Sequence, residues 1–146
     1  DRGAPAQTTM AQLHSLCESD DAGIRYFAGT ATYRNSVKLT KAQMRGKRLW
    51  INLGQMSALA EVIVNGKNMG ILWRAPFSTE ITDALRRGNN DIEIRVTTLW
   101  RNRIIGDQQP DCPKRYTYTS YPFYKKDSKL QPSGLIGPVT LTKMPR

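Results

Sequence analysis

Short runs of alternating apolar and polar residues dominate the chain, most of them closed by Gly, Asn, Pro or Asp. In "AEVIVNGKNMGILW" (residues 60–73), Val62 and Val64 fall on one face and Glu61 and Ile63 on the other. Asn65 and Gly66 follow, and both tolerate the positive φ that the two central residues of a type I′ turn require. The stretch therefore predicts a β-hairpin, one that runs directly into "WRAPF". "KRLWINLG" places Leu49, Ile51 and Leu53 on one face, with Trp50 and Asn52 on the other. "IRYFAGTATYRNSV" alternates through Phe27, Gly29, Ala31 and Tyr33 and predicts a strand. "PFSTEITDALRRGNNDIEIRVTTLW" reads as a strand, a turn of helix capped by Thr82 or Asp83, a reversal at Gly88, Asn89 and Asn90, and a strand pointing Ile92, Ile94 and Val96 inward. "GPVTLTK" supplies a last strand with Val139 and Leu141 inward.

No long segment shows a 3.6-residue period. About seven to nine short strands separated by turn signals predict an all-β fold, an antiparallel β-sandwich or jelly roll. Residues 1–23 are polar and irregular, and residues 24–146 form a single sandwich domain, a length sufficient for one core. One span breaks the rhythm. Residues 105–137 combine Pro, Gly, Asp and Lys with Tyr116, Tyr118, Tyr121, Phe123 and Tyr124. Either "RYTYTSY" is an edge strand whose rings cap the sandwich, or the span is a functional loop.

Charge changes the picture only slightly. The net charge of +10 would suit a polyanion, but the basic residues occur singly or in pairs, as at Arg86-Arg87, Lys114-Arg115 and Lys125-Lys126. With no basic helix or zinc-finger spacing, solvated surface charge is preferred and nucleic acid is disfavoured as a partner. No run approaches the roughly 18 apolar residues of a membrane-spanning helix, so no membrane partner is expected. The chain begins at Asp1 with no basic or apolar leader, which reads as an excised piece of a longer polypeptide. Cys17 and Cys112 are far apart; they could pair in an oxidising compartment, but free thiols are the preferred reading. His14 stands three residues from Cys17, but no other His completes a zinc set, and no acidic cluster resembles a calcium loop. No metal and no cofactor are expected.

Catalytic chemistry is poorly represented. A nucleophile usually needs a neighbouring His, and the single His lies in the irregular N-terminal segment. Two carboxyl groups at a set separation would serve glycoside hydrolysis, yet nothing brings Asp107, Asp111 and Asp127 together as a pair. Recognition chemistry is better supplied. Sugar C–H faces lie on aromatic rings, and sugar hydroxyls pair with Arg, Asn and Asp. "LWRAPF" and "LWRNRIIGD" offer both at strand ends, which makes Trp73, Arg74, Phe77, Trp100, Arg101, Asn102, Arg103 and Asp107 candidate carbohydrate-binding residues, with Tyr116, Tyr118, Tyr121 and Tyr124 beside them. The alternative is that both Trp rings fill the core edge while the Arg side chains pair with neighbours. Trp50, on the outer face of its strand, is a candidate domain interface.

Three stretches carry a resemblance: "YFAGTATYRNSVKL", "GKRLWINLGQMSALAEVIVNGKNMGILWRAPFSTEITDALRRGNNDIEIRVT" and "LWRNRIIGD". Together, over roughly residues 24–107, they resemble the galactose-binding-like, sugar-binding jelly roll of family 2 glycoside hydrolases. "PSGLIGPVTL" and "NRIIGD" are more similar to the C-terminal domain of large bacterial α-L-rhamnosidase-like hydrolases of the family 106 type. The resemblance implies a sandwich appended to a catalytic barrel that carries the acid and base. A barrel needs about 200 residues or more, so this chain would be a non-catalytic accessory domain. Its implied partners are the parent catalytic domain and an oligosaccharide or polysaccharide, in a periplasmic or secreted bacterial setting. A purely structural brace on the parent domain and an independent polyanion-binding protein are the alternatives.

Overall fold

A computed structural model describes residues 3–145; residues 1, 2 and 146 of the two predicted segments lie outside the described part. Among the described residues, nine strands and three short α-helices follow one another, besides two 3₁₀ turns: α1 (Ala22–Arg25), β1 (Thr30–Leu39), α2 (Lys41–Met44), β2 (Lys47–Asn52), β3 (Gln55–Met56), β4 (Leu59–Val64), β5 (Lys67–Leu72), β6 (Ser78–Glu80), β7 (Gly88–Thr97), α3 (Arg101–Gly106), β8 (Leu135–Gly137) and β9 (Thr140–Pro145). A four-stranded sheet in the order β1-β7-β4-β5 faces a three-stranded sheet in the order β6-β2-β9, and β3 pairs with β8 at one end. Every strand-to-strand ladder is antiparallel. The fold is the expected all-β sandwich.

Alternation produces the two layers. Leu49, Ile51 and Leu53 from one sheet meet Ala60, Val62, Val64, Ile94 and Val96 from the other, and Ile81 and Leu135 close the cluster. Burying each Leu, Ile or Val side chain of this set contributes about 1.5–3 kcal/mol, so the inner face is a main source of stability. The hairpin turn has φ +51° at Asn65 and +81° at Gly66, as a type I′ turn requires. Asn65 is also locked from below: its amide donates to Ala84 O and to Oδ1 of the buried Asn90. On the outer face of the four-stranded sheet, Arg34, Glu93, Arg95 and Glu61 form a row of ion pairs across β1, β7 and β4.

Local expectations fail where side chains capture backbone groups. "IRYFAGT" does not start as a strand, because Asp21 Oδ1 accepts the Gly23 and Ile24 N–H groups and winds residues 22–25 into α1. Residues 82–84 form only a 3₁₀ turn, which neither Thr82 nor Asp83 caps. The Thr82 hydroxyl is taken by β2, where it accepts the Leu49 N–H, and it donates to Glu80. "RYTYTSY" is not an edge strand: residues 107–134 contain no strand at all. "RNRIIG", expected as a strand-end loop, is α3.

Candidate functional site

Both sheets open toward one common end. Residues 53–58 carry the chain from β2 to β4 and residues 73–77 carry it from β5 to β6, so these connections share a rim with the exit from β7. Residues 132–138 complete it: Ser57 N–H donates to Gly134 O, and Gly134 N–H donates back to the Ser57 hydroxyl. Gly54 holds the rim together by close approach. Its φ is +65°, and a Cβ there would sit 2.5 Å from the Gly137 carbonyl, so only glycine fits.

An open cleft of about 560 Å³ lies in this rim, walled by Met56, Phe77, Pro132 and Ile136, with Asn52 and Gln55 as its polar side chains. Asn52 Oδ1 accepts the Gly54 N–H at 2.8 Å, which orients the amide and leaves its NH₂ group as a donor. Among the described residues, neither a carboxylate nor a histidine lines the cleft. A concave, largely apolar hollow with a few amides can hold a small polar ring by stacking and hydrogen bonding.

The predicted site residues divide into three sets. Phe77 lines the cleft, and Trp73 and Arg74 stand exposed on the same connection, Trp73 at 72%. Trp100 is exposed on the connection from β7 to α3, and β7 stands two strands from β5 in sheet order.

The second set is buried. Asn102, Arg103 and Asp107 project from α3 into the protein. Asn102 donates to Gln131 O at 2.7 Å and accepts Gln131 N–H at 2.8 Å, as a neighbouring strand would. Arg103 Nε lies 2.8 Å from Asp107 Oδ1 as an ion pair, and its guanidinium lies 5.7 Å from the Tyr26 ring centre and 5.5 Å from that of Tyr116. Asp107 Oδ2 accepts three bonds, from the Tyr116 and Thr117 N–H groups and the Thr117 hydroxyl. These three side chains spend their polar atoms inside the molecule.

The third set rides on residues 107–131, which form an arm. Arg101 donates to Lys129 O and stacks over Tyr124; Tyr116 is half-buried under Arg103, and Tyr118 and Tyr121 are exposed. Trp50 lies on the outer side of β2, half-buried, with the Arg48 guanidinium 5.9 Å from its ring centre and Arg48 paired to Glu80. The pattern of the sequence put Asn52 on the outer face of its strand but did not single out Gln55, Met56, Pro132 or Ile136, since the cleft forms only when segments distant in the chain meet. Gly54 directly after a strand was the available signal.

No protein-family model matches the chain. A rhamnosidase from Novosphingobium sp. PP1Y is 46% identical and superposes with a TM-score of 0.92, over 98% of this chain and 14% of that one. The "Putative beta-glucuronidase" of Formosa agariphila is 34% identical over 154 residues, which take in 89% of this chain and 13% of that protein. The beta-glucuronidase of Bifidobacterium dentium, 21% identical with a TM-score of 0.66, shares the fold over 99% of this chain and 26% of its own. The chain forms an antiparallel β-sandwich of the kind that these glycoside hydrolases contain. Within that class it is similar, over almost its full length, to one domain of the Novosphingobium rhamnosidase. It spans only 13–14% of the length of that protein and of the Formosa relative.

Proposed function

We propose that the chain is a non-catalytic accessory domain of a larger bacterial glycoside hydrolase and contacts carbohydrate at its rim. The observation that carries this reading is the cleft itself. It has apolar walls at Phe77, Met56 and Pro132, amides at Asn52 and Gln55, the exposed Trp73 and Arg74 on the adjoining loop, and, among the described residues, no acid or base. Its volume falls in the range of small-ligand sites. Titration with neutral mono- and oligosaccharides, followed by calorimetry and tryptophan fluorescence, tests it. Binding should be lost in Phe77→Ala and weakened in Trp73→Ala. No heat and no fluorescence change at millimolar sugar would remove the reading.

A second reading, a brace against the parent catalytic domain, is favoured by Trp50. Its ring faces outward from β2, and its buried Nε1 has no hydrogen-bond partner among the described residues. Trp50→Ala in the longer polypeptide should lower that protein's melting temperature. An unchanged value would eliminate the brace.

A further inference from the structure

The arm has a composition that neither the sandwich nor the cleft explains. Residues 112–131 carry five rings (Tyr116, Tyr118, Tyr121, Phe123, Tyr124) and five cations (Lys114, Arg115, Lys125, Lys126, Lys129), but only one acid, Asp127, and one aliphatic side chain, Leu130. None of residues 108–131 is buried, so the rings are not there to fill a core. Tyr118 is 91% exposed, and Tyr121 and Phe123 are each 73% exposed. Among the described residues, none of the five cations forms an ion pair; Lys114 sits 5.4 Å over the Tyr116 ring.

This surface is also held in shape in advance. Four side chains on or just after α3 grip the arm's backbone: Arg101 at Lys129, Asn102 at Gln131, Asp107 at residues 116 and 117, and Gln109 at Lys126. Within the arm, Phe123 N–H donates to Tyr121 O around Pro122, and Ser128 bonds Lys125 in both directions. Two of the three exposed rings, Tyr121 and Phe123, therefore flank one tight turn, with Lys125 and Lys126 shortly after it. A pre-ordered surface loses little conformational entropy on binding.

Two kinds of partner could cover such a surface. The interior of a protein–protein interface is depleted in lysine and built largely from apolar packing. Four lysines and a single aliphatic residue do not fit that description. Flat rings without aliphatics suit the C–H faces of sugars, and unpaired ammonium groups suit carboxylate or sulfate groups.

We propose that the arm binds anionic carbohydrate, a glycan chain bearing carboxylate or sulfate groups, with Tyr118, Tyr121 and Phe123 as its platform and Lys125 and Lys126 as its charge. This rests on the reading of the chain as a carbohydrate-contacting domain, but not on the rim cleft.

The test titrates the 146-residue chain at low salt with polygalacturonate, dextran sulfate, dextran and duplex DNA. Dextran and its sulfate share a backbone and differ in charge, and polygalacturonate separates carboxylate from sulfate. Polygalacturonate or dextran sulfate should bind at least about tenfold more tightly than dextran and should weaken steeply with added salt. The triple variant Tyr118→Ala, Tyr121→Ala, Phe123→Ala should lose about tenfold or more, as should Lys125→Gln with Lys126→Gln. All five side chains are exposed, so both variants should keep the parent melting temperature. Dextran binding as tightly as its sulfate would overturn the proposal. So would DNA binding as tightly as both anionic glycans without sensitivity to the rings, or no binding at all. Phe77→Ala should leave arm binding intact, which separates failure of the arm from failure of the cleft.

Discussion

The sandwich and the arm are organised by opposite means. Ten apolar side chains fill the space between the sheets, and seven of them (Leu49, Ile51, Ala60, Val62, Val64, Ile94, Val96) lie at strict two-residue intervals on their strands. The arm buries nothing after Asp107 and takes its shape from side chain–backbone hydrogen bonds radiating from one six-residue helix. A layered core resists local change because its parts melt together. A strapped segment can be released one strap at a time.

The largest break in that comparison comes from the core. Ile51 is fully buried at the centre of β2, between β6 and β9. Ile51→Ala should cost about 4 kcal/mol through lost burial and the cavity left behind. Urea unfolding should show one lowered transition in which the arm is lost along with the sheets. Asp107→Ala should cost about 3 kcal/mol, because it strands the buried Arg103 and frees the N–H groups of residues 116 and 117. The loss should be distributed differently: amide exchange accelerates at residues 116–131 while β2, β4 and β7 keep their protection. Uniform acceleration throughout the chain would show that the arm is part of the core after all.

This contrast also explains what was legible in the sequence. Period-two alternation is a local signal, so the inner residues of β2, β4 and β7, the type I′ turn at Asn65-Gly66 and the sandwich class could all be read from neighbours in the chain. The arm could not. Asp107 meets residues nine and ten positions on, and Asn102 meets Gln131, contacts that no periodicity announces. Hence "NRIIGD" reads as a polar loop ready for a ligand, although Asn102, Arg103 and Asp107 face inward. A buried carboxylate bonded to backbone N–H groups is indistinguishable by residue type from an exposed one. The same holds for the cleft, whose walls come from three separate connections.

Where the two regions join, pH sharpens the comparison. The Tyr33 hydroxyl on β1 accepts the Leu135 N–H, just where the chain returns from the arm to the sheets. Burial raises the Tyr33 pKa above the ordinary tyrosine value of about 10, against a smaller opposing effect of the Leu135 hydrogen bond. A folded-state pKa above the unfolded one gives stability that is intact below about pH 10 and falls as pH rises through the folded value. Alkaline titration of the urea midpoint should show that decline, and Tyr33→Phe should flatten it. A variant that declines as steeply as the parent would place the titrating group elsewhere.

The smallest effect belongs to the outer face of the four-stranded sheet, where organisation comes from neither core nor straps. Glu93 has its pKa lowered, first by the hydrogen bond from Arg34 and then by that from Arg95, with partial desolvation opposing. A depressed carboxyl pKa means that the stabilising contribution is present above the unfolded value of about 4.5 and is lost as pH falls through the folded value. Because the row is open to water, salt screens it and the effect stays small. Between about pH 7 and about pH 3 the parent's urea midpoint should fall slightly more than that of Glu93→Gln, and the difference should shrink in high salt. Identical slopes would mean that these ion pairs set the polarity of the face without adding stability, leaving the inner aliphatic layer as the sheet's only source of it.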